Sequence, residues 1–438
     1  MSISKYEFSM LSDPSCLSFH QEDWKEDDKT GTPIRNWNKI LFKDSLFDFF
    51  PYCETYFIDA GGQIIDSVFF VEGLDLTCKL GFPEEDQKDK DGKATGKKIG
   101  GYLEHTYVWS ANEINNIKIA QSVSGDNLFM MISKYFKSDV PKSRTFNHED
   151  STAKKQTISE ILKNVILPDW GIPKEKYNND TADKVLHSIS DTAGTPYLNQ
   201  NNITNKQFIC KLAEWAYSQN NAGSGFYTFF NCQGEFYFMT IQAMLDQPEV
   251  KEYIIDLNKD MMLDEKYIKD YRVFHGGMPV NFDNYNRKIY RYKPSSVSSN
   301  ASKNIHNVLS EYDSETQLLI RNQYTTNTTR VSYAGIQDDD NLYNGFVNQF
   351  YRDTHMCYRM VIVVDFSPLI VSGKTVKISL QKQTKDNELA KEFDGKWLIV
   401  DSIHTMGKDG IPYSQLTISK PQIQVDKTHI FYNDFKAP

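Results

Sequence analysis

A chain of 438 residues is too long for one hydrophobic core, and with 25 Tyr and 27 Phe it carries too much apolar surface to be disordered over most of its length. Its net charge of −9 speaks against a polyanion binder, which needs clustered positive charge, and no apolar run approaches the ~20 residues that cross a bilayer as a helix. The six cysteines are scattered without a Cys-x-x-Cys pair, which favours a reduced fold made in a cytosol, and the first residues lack the apolar stretch of a signal peptide.

In chain order, the first ~120 residues read as β structure. Tyr56 to Gly73 holds two apolar runs around Gly61-Gly62, a hairpin signal. The run from Leu74 to Phe82 alternates at period two, and strands resume at Tyr102-Leu-Glu-His-Thr-Tyr-Val-Trp. Between them, residues 83–101 are polar and charged and are expected as a mobile loop. Asn116 to Val123 is expected to close the sheet.

The middle of the chain mixes periods. Leu128, Phe129, Ile132 and Phe136 have helical spacing. Ile158, Ile161, Leu162 and Val165 line one helix face, with Thr157 and Glu160 forming a capping box and Pro168 ending the helix. A second amphipathic helix starts at Thr204 and presents Phe208, Leu212 and Trp215. Two aromatic strands then flank Asn231-Cys-Gln-Gly234, a hairpin with a four-residue turn. Residues 241–345 read as irregular β with a low-complexity linker from Pro294, and a short helix is expected between Asn341 and Arg359. Strands return at Arg359-Met-Val-Ile-Val-Val, Ser372-Gly-Lys-Thr-Val-Lys-Ile-Ser-Leu, Gly395-Lys-Trp-Leu-Ile-Val-Asp-Ser-Ile-His and Tyr413-Ser-Gln-Leu-Thr-Ile-Ser.

The chemistry-bearing residues form no catalytic set. Asp89-Lys-Asp91-Gly92 echoes the centre of an EF-hand loop, but that register puts Gln87 and Lys98 where Ca²⁺ needs carboxylates. His275-Gly-Gly resembles an esterase oxyanion turn, yet no Gly-x-Ser-x-Gly elbow accompanies it; Gly223-Ser-Gly225 is too short. The nine histidines make no zinc pattern, and His404, at the end of a strand, is expected to be structural. Tyr285 to Lys293 interleaves basic and aromatic residues, which suits stacking on single-stranded nucleic acid and suits an exposed strand at least as well. We therefore expect no catalytic, cofactor-binding or metal-ligating residues.

The helix Phe208-Ile-Cys-Lys-Leu-Ala-Glu-Trp-Ala with the following Gly-Phe-Tyr-Thr-Phe-Phe…Gly-Glu-Phe-Tyr-Phe hairpin resembles the helix-plus-hairpin of phage tail baseplate central hub proteins, the contractile-tail hubs related to tail-associated hub proteins and type VI secretion spike hub domains. The strands from Ser372, Gly395 and Tyr413 resemble the last barrel of that family. The resemblance rests on packing patterns over residues 204–241 and 346–420 and leaves 83–101 and 241–345 unexplained. It implies a mainly β protein with an α+β middle: a first β-barrel at 1–122, an α+β domain at 123–241, an irregular β domain at 242–345, a second β-barrel at 346–425 and a tail at 426–438. It further implies a homotrimer whose two barrels per copy form a pseudo-sixfold ring. That ring would join a hexameric tail tube, or its initiator protein, to a trimeric central spike among other baseplate proteins, in the virion and without direct nucleic-acid recognition. The readings from other classes are a multidomain cell-wall or polysaccharide hydrolase and a carbohydrate-binding adhesin.

Overall fold

The computed structural model describes residues 37–57, 127–148, 152–181, 185–216, 225–256, 266–274, 358–367, 369–381, 394–407 and 412–420, residue 218, and the backbone of strands at 17–19, 32–33, 75–81, 85–88, 94–99, 102–113, 288–291, 305–307 and 330–332. The expected hairpin turn at Gly61-Gly62, the run from Asn116, the linker from Pro294, the helix before Arg359 and the tail lie outside these residues. The described chain is mostly β, and none of its described helices is long and apolar enough to cross a membrane.

A 13-stranded sheet dominates. Its first part runs Trp37–Ser45, Tyr52–Phe57, Asn127–Ser133, Tyr102–Glu113, Asp75–Gly81, Leu17–Phe19 and Thr32–Pro33. Asn127–Ser133 was expected as a helix and is a strand. Its spacing is helical only because five apolar residues follow one another, and such a run also suits a strand paired on both edges, as this one is by Tyr52–Phe57 and Tyr102–Glu113. The charged segment expected as a loop contains an antiparallel hairpin of Glu85–Lys88 and Ala94–Ile99, whose register sets Asp86 opposite Lys98.

The last part of the sheet contains the four strands read from the sequence, Tyr358–Asp365, Thr375–Gln381, Gly395–Gly407 and Tyr413–Lys420. Two further strands come from the segment expected as a separate irregular unit. Asp270–Phe274 pairs antiparallel with Tyr358–Asp365, and Glu249–Asp256 pairs in parallel with Thr375–Gln381. Ile254 N donates to Lys266 O at 2.8 Å and Ile268 N to Ile254 O at 3.1 Å, an isolated bridge between Glu249–Asp256 and the residues that lead into Asp270–Phe274. The inward positions of these strands alternate: Met360, Ile362 and Val364; Val376 and Ile378; Trp397 and Ile399; Leu416 and Ile418; Tyr253 and Ile255. Together they fill one core.

The two parts meet edge to edge. Residues 39–45 of Trp37–Ser45 pair antiparallel with residues 401–407 of Gly395–Gly407, while residues 395–398 of the same long strand pair with Thr375–Gln381. The strand therefore forks its partners along one edge, and the fork falls at residues 399–401.

The α+β middle packs against that fork. Thr157 and Glu160 form the expected capping box. The helix does not stop before Pro168: Ile158–Ile161 widens into a π-turn over Leu162–Ile166 and runs on through Leu167–Asp169, so Pro168 sits in the last turn. Asn205–Trp215 is capped by Thr204 with Gln207 and buries Phe208, Ile209, Leu212 and Ala213. The hairpin Phe226–Phe230 with Phe236–Thr240 is buried on both faces, which is why nearly every position is aromatic. Phe226, Phe230, Phe236 and Phe238 face the helices; Tyr227, Phe229, Tyr237 and Met239 face the last β part, against Leu398 and Val400. The run Trp397-Leu-Ile-Val400 is continuous rather than alternating because its two faces serve two different cores.

Candidate functional site

Several of the polar residues that the fold buries gather where these three segments meet. Phe42 and Asp44 point to the same face of Trp37–Ser45, which places a carboxylate in the interior, wholly buried. Its Oδ1 accepts from Ser372 N at 3.1 Å, from Ser372 Oγ at 2.7 Å and from Ser402 Oγ. Its Oδ2 accepts from Cys232 N at 2.6 Å, in the hairpin turn. One side chain thus ties the first β part to the middle hairpin and to a turn and a strand of the last β part. Burial pushes the Asp44 carboxyl up from its ordinary range, and the donated hydrogen bonds pull it partway back. Beside it, Ser45 Oγ donates to Asp401, Leu46 N donates to Val400 O at 2.9 Å, and Phe230 N donates to Phe49 O at 2.8 Å.

The tetrapeptide Ser372-Gly-Lys-Thr375 supplies the last β part's side of the junction, and each residue has a separate task. Ser372 donates to Asp44 through both main chain and side chain. Gly373 has φ +84°, and a Cβ there would stand 2.6 Å from Phe229 Cζ, on the stacked Phe229–Tyr237 pair. Lys374 Nζ lies 3.5 Å from Glu235 Oε2 and 5.6 Å from the centre of the Tyr237 ring. Thr375 Oγ1 donates to Gln247 O at 3.2 Å, and Gln247 Nε2 returns a bond to Gly373 O at 3.2 Å. Gly373→Ala combines a left-handed backbone with a clash against an immobile ring, so we expect it to destabilise the chain by about 2–4 kcal/mol in equilibrium unfolding.

His404 is buried inside the strand Gly395–Gly407 rather than at its end. Its ring bridges Ser402 Oγ at 3.2 Å from Nε2 and Ser414 Oγ at 2.8 Å from Nδ1. Burial pushes its pKa down to about 4, partly offset by the Ile370 carbonyl, so it is neutral at physiological pH. The hydrogen bonds run on from Ser414, which accepts from Ser367 N at 3.2 Å, through His404 and Ser402 to Asp44.

The structural role expected for His404 is met by this bridge. Asp89 and Asp91, His275, and Gly223 with Ser224 fall outside the described residues, and of Tyr285–Lys293 only the strand Lys288–Arg291 is described, paired on both edges. Among the described residues no group of His, Cys, Asp or Glu is arranged to hold a metal, and Cys53, Cys210 and Cys232 are not in disulfides. The sequence reading missed Asp44; the available signal was a charge at the inward position after Phe42 in a strand.

A mostly β chain whose two ends share one sheet around an α+β middle has a fold in common with a solved tail protein. Over 93% of this chain and 97% of the other, it superposes on the tail protein from Neisseria meningitidis MC58 with a TM-score of 0.51 at 9% identity, which is a likeness of fold. It is also similar to the 43 kDa tail protein of prophage MuSo2 from Shewanella oneidensis (TM-score 0.46, 11% identity, 89% of this chain and 96% of that one). A third similar structure is an E. coli component of the type VI secretion system whose own likeness is to bacteriophage T4 tail proteins (TM-score 0.39, 10% identity, 88% and 73%). No protein-family model matches the chain, and no curated protein matches it in sequence. The chain therefore shares its fold with the Neisseria tail protein.

Proposed function

We propose that this chain is the structural hub of a bacteriophage tail baseplate. Three copies form a ring that joins the hexameric tail tube to the trimeric central spike, and the chain does this without catalysis. The observation that carries the proposal is the edge-to-edge pairing of residues 39–45 with 401–407. It pairs strands from the two ends of the chain in one sheet, which suits a ring with two similar units per copy.

The reading of the last part as a barrel, at the position expected for the second one, is supported by the bridge from Ile254 to the residues before Asp270 and by the single core that the six strands share. Under this reading that barrel takes in residues 249–274 as well as 358–420. The first part supplies the other barrel, and the α+β middle braces the two. The virion baseplate is the place of action, with tube, spike and other baseplate proteins as partners. The test is co-expression with the tail tube and spike proteins of the same tail. The chain is expected to co-purify with the spike and to cap the tube. Failure to associate with either would refute the proposal.

A further inference from the structure

Lys374, Glu235 and Asn231 stand in an arrangement that the junction's packing does not by itself require. Glu235 is buried, and its Oε2 accepts from Asn231 Nδ2 at 2.8 Å and from the Tyr237 hydroxyl at 2.9 Å, with Lys374 Nζ at 3.5 Å from the same oxygen. An amine and a carboxamide are therefore brought to one carboxylate oxygen. The carboxamide is also polarised from its other end: Asn231 Oδ1 accepts from Gln233 N and from Glu235 N, each at 3.0 Å. Two main-chain donors aimed at a carbonyl oxygen form the arrangement that stabilises an oxyanion when a nucleophile adds to the carbon. Asn231 and Glu235 are fully buried, while Lys374 keeps a partly exposed side chain whose Nζ lies 5.6 Å from the centre of the Tyr237 ring.

We propose that this is a self-modification site, at which Lys374 and Asn231 join through a side-chain amide bond with Glu235 as the catalytic acid and base. The Glu235 carboxylate removes a proton from the Lys374 ammonium. The freed amine adds to Asn231 Cγ, and the two main-chain N–H groups hold the negative charge that develops on Oδ1. Glu235 then gives its proton to Nδ2 as the Cγ–Nδ2 bond breaks. The N–C bond of the new amide replaces the N–C bond of the old one, and the nitrogen leaves as ammonia, which takes up the remaining proton as ammonium. No oxidant, metal or other co-reactant enters. The burial of Asn231 keeps water from competing for the carbon. Gly373, whose left-handed backbone lets the chain pass against Phe229, sets Lys374 in place. The product is a covalent clasp between the middle hairpin and the last β part, beside the Asp44 junction.

The test is the intact mass and peptide map of the purified, folded full-length chain. The expected result is a mass lower by one ammonia than the sequence requires, and one branched tryptic peptide containing both Asn231 and Lys374. Lys374→Arg keeps a cation at Glu235 but cannot form the amide. It is expected to restore the full mass and release the two peptides separately, as is Glu235→Gln if that variant folds. A folded wild-type chain of unmodified mass overturns the proposal. So does ammonia loss without the branched peptide, as a succinimide at Asn231 would give.

Discussion

Replacing Asp44 with Ala is expected to lower the stability of the chain by about 3–5 kcal/mol, because several buried donors lose their acceptor at once. Ser372 N, Ser402 Oγ and Cys232 N reach Asp44 from segments 328, 358 and 188 residues away in sequence, so no local rearrangement can supply a substitute. Asp44→Asn keeps one acceptor oxygen but turns an N–H₂ group toward a donor, and is expected to cost roughly half as much. Denaturant unfolding at neutral pH measures both. A loss of under ~1 kcal/mol for Asp44→Ala would mean that water replaces the carboxylate and that the junction does not depend on it.

The second large effect is a pH dependence from His404. Its pKa falls from 6.5 to about 4 on folding, so the unfolded chain binds more protons than the folded chain between these values. Stability from this group is therefore complete above about pH 6.5 and declines as the pH falls toward 4, by about 3 kcal/mol in all. Asp44 acts with the opposite sign. Its folded pKa is raised, so its contribution is full below the unfolded value and is lost as the pH rises through the folded one. Unfolding free energies of the wild type and His404→Gln, measured from pH 4 to 7, separate the two. The difference between the curves should grow with pH across this window and then level off, and parallel curves would show that His404 does not titrate in the unfolding reaction.

The parts of the fold legible in the sequence were those whose signals are local. Thr157 with Glu160 marked a helix start because a capping box needs only four consecutive residues. The Phe226–Thr240 hairpin was legible because its turn and both strands lie within 15 residues. Glu249–Asp256 was not placed with the last β part because its parallel partner begins more than a hundred residues later, and strand alternation says nothing about which strand pairs with which. Asn127–Ser133 misled because an unbroken apolar run fits either period, and tertiary pairing decided it.

The junction was illegible for the same reason in stronger form. Ser372-Gly-Lys-Thr was visible as part of a family-like pattern, but a serine, a glycine and a lysine in a strand lead-in are ordinary residues. They acquire roles only when the fork in Gly395–Gly407 brings Asp44, Phe229 and Glu235 against them. The helix-plus-hairpin and the last strands, from which the resemblance to hub proteins was read, are elements that pack together at that fork, and the mostly β character it implied is what the chain has.

The most direct test of the account is the solution mass of the purified chain by light scattering after size exclusion, with negative-stain images of the same fraction. The account predicts a species of three copies of the 50.6 kDa chain, seen as an annulus with six peripheral lobes. A strict monomer at micromolar concentration, with no annulus in the images, would contradict it.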